Sequence, residues 1–445
     1  MKPPCLVLAL ALAALCLLLL LPQPTRAQLS SEFRVRLPEG SPVPALFDQT
    51  TAFLLTGEGR VKAVDRSSGR ERWTARVRCG SDVFALTGDQ IVCARGRHGQ
   101  LRIIESSTGR LLAHDHIEGG PYVPRLVDRT LTMLNPRTGR ILGYDVERRT
   151  WAFDHRTDMD LSPGGGYLPV GLGKKLYFTE DEWRTLWAVN VHDGKIALAA
   201  RSDTPVRTDE GVDAFVTHGL LISSDHREIV AFDLVAGRRA WRVNADTLGG
   251  RPLQDSGCMT VAEGSLFLLI AKPAVVGAAW TGHEVVEVRL HNGEIRRRWS
   301  LAFGLPGAAV LPLLTTPPDS PCALAFRSLV IVKGCPALTL ASACTPREAG
   351  FDHGWVIGLD HNGGGVAWST PPKTGTRLVP SASGVFALWG QSNVPHSERR
   401  ITELNPETGA LRTEHTTSYT PTWAVEDDDQ LWLGTEGGPV FVFGR

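Results

Sequence analysis

The side chains that could do chemistry are few, and they are scattered along the chain. His114-Asp115-His116 sets two imidazoles two residues apart in an extended segment. That spacing can hold two ligands of a metal. No third ligand is identifiable, and a solvated loop is the simpler reading. Asp427-Asp428-Asp429 offers oxygens to calcium, but it lies between two strand-like runs, where an acidic hairpin tip accounts for it. Arg296-Arg297-Arg298, just before Trp299, reads as a solvated strand edge. His192, His291 and His361 recur beside Asp/Asn-Gly turns, as relics of a hairpin tip. The glycine runs 164–166 and 363–365 lack the Lys-Ser/Thr and the helix of a phosphate loop. GxSxG, HExxH and EF-hand patterns are absent.

Eight cysteines are present. Cys79 and Cys93 form a local pair suited to a disulfide, and Cys322, Cys335 and Cys344 cluster so that two of them could staple a long insertion. No two have the CxxC spacing of a zinc or thioredoxin site. The formal net charge is +0, with 47 basic and 47 acidic residues, which gives no field for a nucleic acid or an anionic membrane.

The N-terminus reads as an address. Lys2 precedes an apolar run from Leu6 to Leu21, followed by Pro22, Pro24 and a small residue at Ala27. This is the order of a secretory signal peptide, expected over residues 1–27 with cleavage after Ala27; an uncleaved anchor is the alternative. Cys16 follows Leu15 inside the apolar run, so it does not make a lipoprotein signal. The mature protein is expected to be exported, periplasmic or secreted, with no transmembrane span after cleavage.

The elements that must position any site repeat at a period near 40 residues. Residues 59–73 carry Ala63, Asp65, Gly69 and Trp73; residues 228–241 carry Ala231, Asp233, Gly237 and Trp241; residues 355–368 carry Asp360, Gly363 and Trp368. Weaker copies lie at 101–109, 186–194, 285–293 and 401–409. The segment 141–151, with Asp145 and Trp151, lacks the glycine. In each copy an apolar stretch makes a strand, Asp or Asn starts a turn, Gly takes a conformation closed to other residues, and a second strand follows. Two more short strands precede each unit. No helical period appears after residue 28. Such a four-stranded unit cannot bury both faces alone, so units must stack, and radial stacking makes an all-β propeller. The last three strands lack a fourth, and residues 32–36 could supply it from the N-terminal end, closing the ring and removing its edges.

The pattern Ala-x-Asp-x-x-(Ser/Thr)-Gly-x-x-x-Trp resembles the tryptophan-docking repeat of pyrroloquinoline-quinone (PQQ)-like propellers. Residues 59–73 match throughout; residues 228–241 match except at Ala236. The resemblance covers most of 43–445 and implies one propeller over residues 28–445. Strict counting gives nine units, and the resemblance implies eight antiparallel four-stranded blades with one copy irregular. It also implies that Trp73, Trp151, Trp241 and Trp368 pack between blades, as expected of a bulky ring recurring at one position. Dehydrogenases of the family bind PQQ and calcium, and many alcohol-oxidising ones carry adjacent cysteines or a CxxCH haem motif; this chain has neither. Size and layout resemble the non-catalytic branch typified by outer-membrane protein assembly propellers. The expectation is therefore a cofactor-free, monomeric scaffold that grips a protein partner through its loops, including an insertion at 307–373. The alternative is a small PQQ- or metal-dependent oxidoreductase of alcohols or sugars.

Overall fold

The computed structural model describes residues 27–28, 31–37, 40–157, 170–180, 185–201, 215–224, 227–252, 259–271, 283–300, 322–332, 335–344, 353–360, 366–370, 373–374, 376–381, 384–390, 399–428 and 430–444. Among these the chain is almost entirely strand. A four-residue helix, Ala245–Leu248, and a single 3-10 turn, Gly96–His98, are the exceptions.

Antiparallel sheets follow one another along the chain, each running from an inner to an outer strand as the sequence advances. The first spans residues 46–78, the second 83–116, the third 123–156, the fourth 170–201 and the fifth 215–244. In the sixth, 251–300, Arg251–Pro252 and Met259–Ala262 share one edge of Ser265–Ala271. The four strands of 376–416 and the three of 421–444 end the series. These are the eight regular blades of the propeller. The irregular copy forms a sheet of its own, residues 322–374, between the blades at 251–300 and 376–416. Its core is a long hairpin, Cys322–Val332 with Cys335–Cys344, whose register sets Cys322 opposite Cys344.

The N-terminal segment completes the ring. Ser31–Val35 pairs antiparallel with Val440–Gly444 and becomes the fourth strand of the last blade. Ala27–Gln28 runs parallel to Leu411–Thr416 on the neighbouring blade, a pairing the repeat pattern gives no sign of.

Burial explains why inner strands read as continuous apolar runs and outer strands do not. Thr51–Leu55, Thr130–Asn135 and Val385–Trp389 are buried at every position, because each lies between two neighbouring sheets. Outer strands such as Thr150–Arg156 bury one residue in seven. The core is accordingly a set of layers between blades: Val92, Leu101 and Ile103 of the second blade pack with Leu131, Met133 and Leu142 of the third. A layer of the same kind, with Val35, Ala52, Leu54, Trp432 and Val442, joins the last blade to the first.

Candidate functional site

The turns that define the repeat also seat the aromatic groups that join the blades. Asp65 accepts hydrogen bonds from the backbone N–H groups of Ser67 (3.1 Å) and Ser68 (3.0 Å), and the chain reverses at Gly69 with φ +67°. The Arg72 guanidinium, with the Ser67 and Ser68 hydroxyls, holds the Asp65 carboxyl well below the usual carboxylate range. Asp233 and Gly237 build the same turn, whereas Gly363 lies outside the described residues.

The equivalent glycine of the following blade does a second job. The Trp73 indole lies where a Cβ on Gly109 would stand, 2.5 Å away, and its N–H donates to Ser106 O at 3.1 Å. Trp241 lies against Gly293 and donates to Leu290 O at 2.5 Å; Trp368 lies against Gly409 and donates to Pro406 O at 2.9 Å. Trp299 donates to Asp360 O across the next interface. Repetition in the sequence reveals the turn role of these glycines but not the seat.

Trp151 departs from the expected role. It is 36 % exposed, and its N–H donates to the carboxylate of Asp115 on the preceding blade at 2.7 Å. Phe153 takes the docking place instead, 2.6 Å from the position of a Gly194 Cβ. The reason is register: Trp73, Trp241 and Trp368 each follow their Asp by eight residues, as Phe153 follows Asp145, while Trp151 follows it by six. Counting from the turn would have found Phe153. The missing glycine of that turn is replaced by Arg149, which itself adopts φ +58° and donates its N–H to Asp145 O.

Of the weaker candidates, the arginine run is not a solvated edge. Arg296 and Arg297 converge on Glu287, which is buried, and Arg298 bonds Glu284 at 3.1 Å. Burial pushes the Glu287 carboxyl up, but Arg297, the Ser265 hydroxyl and Arg296 outweigh it, and it rests below its usual range. Asp427 and Asp428 sit at a hairpin tip and take the guanidinium of Arg66 from the first blade; Asp429 lies outside the described residues. Burial raises the Asp427 carboxyl, against the pull of Arg66. No group of three metal-ligating side chains occurs among the described residues. Most of the 307–373 segment's loops also lie outside them.

Two surface clefts flank the second blade. The one towards the third blade, about 500 Å³, holds Asp115, His116, Glu118, Arg140, Trp151 and Asp154. Its charges are largely committed: Arg140 forks onto Asp154 at 3.0 and 2.7 Å and holds that carboxyl below its usual range.

The cleft towards the first blade is larger, about 670 Å³. One wall is the 55–59 loop with Arg78. The other carries Arg95, His98, Gln100 and Arg102. Cys79 also lines the cleft, and the Cys79–Cys93 disulfide ties the end of the first blade to the second strand of the next. Gly80 lets the chain pass this point, since a Cβ there would fall 2.3 Å from Ala94 O. His114 stands opposite Arg102, and His116 opposite Gln100, on the adjoining strand. Chemically, the arginines and His98 suit this cleft to anions.

The family model described as outer membrane protein assembly factor BamB matches residues 22–131 and 127–308. No curated protein sequence matches significantly. Solved structures similar to the chain include BamB from Moraxella catarrhalis, at 11 % identity and TM-score 0.49 over 94 % of this chain and 100 % of that one. Quinohemoprotein alcohol dehydrogenase from Comamonas testosteroni is similar at 13 % identity and TM-score 0.49, over 95 % of this chain and 78 % of that one. Sqt1 from Saccharomyces cerevisiae is similar at 10 % identity and TM-score 0.45, over 80 % and 93 %. Likenesses at these levels carry no functional weight.

Proposed function

This chain belongs to the family described as outer membrane protein assembly factor BamB, whose model matches more than half of it, and from that premise we propose that it is an exported, protein-binding scaffold of the cell envelope or exterior. The family match is the observation that carries the reading. Residues 1–27 serve as the signal, residues 28–445 form the functional unit, and the mature protein acts as a monomer without a cofactor. The surface geometry is compatible: the clefts beside the second blade offer charged side chains and aromatic edges to a partner, which is how interfaces find specificity. No helix among the described residues is long and apolar enough to cross a membrane.

The test is native mass spectrometry of protein purified from an exporting host supplied with PQQ and calcium, followed by crosslinking in that host. A mass equal to the bare chain from Gln28, less two protons per disulfide, with a reproducible crosslinked protein, supports the scaffold. A mass increased by PQQ, with dye-linked oxidation of an alcohol or sugar, overturns it.

A further inference from the structure

We infer that the cleft between the first and second blades is a receptor for an acidic stretch of polypeptide, an inference that rests on the scaffold reading and names the partner chemistry at one site. Several arginines elsewhere on the blades are tied to carboxylates of their own sheet, such as Arg72 to Asp65 and Arg140 to Asp154 at 2.7 Å and Arg400 to Glu414 at 3.0 Å. Arg78, Arg95 and Arg102 line one cleft, and their side chains have no hydrogen bond or ion pair among the described residues. His98 joins them on the same wall. The one carboxylate that lines the cleft, Glu58, is already engaged by Arg60 at 3.2 Å. Three uncommitted guanidinium groups therefore face a volume of about 670 Å³.

Guanidinium groups bind carboxylates through paired N–H donors, so several in one cleft select a chain carrying several carboxylates. The formal net charge of +0 leaves no extended basic field of the kind that holds nucleic acid. The cleft lining contains no Phe, Tyr or Trp ring on which a base could stack. The two sides are tied together, because the Cys79–Cys93 disulfide joins the first blade to the second beside the cleft and the Cys79 N–H donates to Gly59 O. A rigid cleft binds without first losing the freedom of its own loops.

The experiment titrates fluorescein-labelled hexaglutamate into the full mature protein, with hexalysine, inorganic phosphate and an oligothymidylate as competitors. Saturable binding of hexaglutamate that weakens with salt, and weakens at least about tenfold in the Arg78→Gln/Arg95→Gln variant, is expected. Both arginines are exposed, so the variant should keep the thermal transition of the parent; a melt records this. Equal binding by parent and variant overturns the inference. So does full displacement of the labelled hexaglutamate by phosphate or oligothymidylate at concentrations below those at which unlabelled hexaglutamate displaces it. A crosslinked partner that persists unchanged in the variant, with no hexaglutamate binding, sinks the cleft and leaves the scaffold. Hexaglutamate binding with no protein partner in the cell keeps the cleft and sinks the scaffold.

Discussion

The indole N–H of Trp423, in the last blade, donates to the carbonyl of Ser41 ahead of the first, at 2.9 Å and across 382 positions of sequence. It is the same kind of bond that Trp73 makes to the second blade and Trp368 makes across another interface. Here it joins the two ends of the chain. Arg66 reinforces it from the first blade, donating to Asp48 O at 2.8 Å and to Asp428 at 2.7 Å.

Trp423 is 3 % exposed, so truncation is expected to cost heavily. Trp423→Ala should lower stability by about 3–5 kcal/mol. Trp423→Phe keeps most of the ring and loses the donor, leaving the Ser41 carbonyl unpaired, at about 1–3 kcal/mol. Urea denaturation midpoints decide this. Equal, small effects from both would mean that the closing interface contributes little.

The third blade offers a contrast within one strand. Phe153→Ala, which removes the buried one of the two rings over Gly194 and leaves His155, should cost about 3–5 kcal/mol. Trp151→Phe, at an exposed position with one hydrogen bond to Asp115, should cost about 1 kcal/mol or less. If the order is reversed in thermal melts, Trp151 is the docking residue after all.

Glu287 gives a pH signature. Its carboxyl is held below the ordinary value of 4.5 in the folded chain. A lowered folded pKa contributes stability that is present above the unfolded pKa and is lost as pH falls through the folded one. Glu287→Gln, which removes the carboxylate charge that Arg296 and Arg297 face, should cost about 1–3 kcal/mol at pH 7. The gap between parent and variant should narrow once the pH falls below about 4.5. A gap in melting temperature that stays constant down to pH 3 would show that the carboxylate charge is not what stabilises the site.

Cys79 and Cys93 close a loop of 14 residues. Replacing both with serine should lower stability by about 2–4 kcal/mol. Because Cys79 lines the first cleft, hexaglutamate affinity should fall as well, below the denaturation threshold. Unchanged affinity in a destabilised variant would separate the fold's need for the bond from the cleft's.

Much of this architecture can be read from the order of residues. Asp65-to-Trp73 spacing, alternating strands and the unpaired terminal run at 32–36 state the propeller and its closing strand, because turn chemistry and strand period are local properties. The Cys79–Cys93 pair is legible for the same reason. What escapes is whatever depends on two distant segments meeting. Gly109 reads as a turn residue, and only the packed ring reveals it as the seat of Trp73. Arg78 and Arg102 look like any surface arginine until the fold sets them around one cleft whose lining carboxylate, Glu58, is taken by Arg60. Trp151 misleads because residue type outweighed position: the aromatic group at the docking register is Phe153, two residues later.

The strand Ser31–Val35 pairs with Val440–Gly444, so a strand that precedes the first blade and the last strand of the ring are neighbours. Timing follows from that adjacency. While the chain is being made, the first strand must wait for a partner that is synthesised last, and until then the growing array has a raw edge at each end. Closure is thus the final act of biogenesis, and a stalled or shortened chain that lacks the last strand leaves Ser31–Val35 without its pairing. A cell that makes this protein must keep those waiting edges apart for the whole interval of its synthesis.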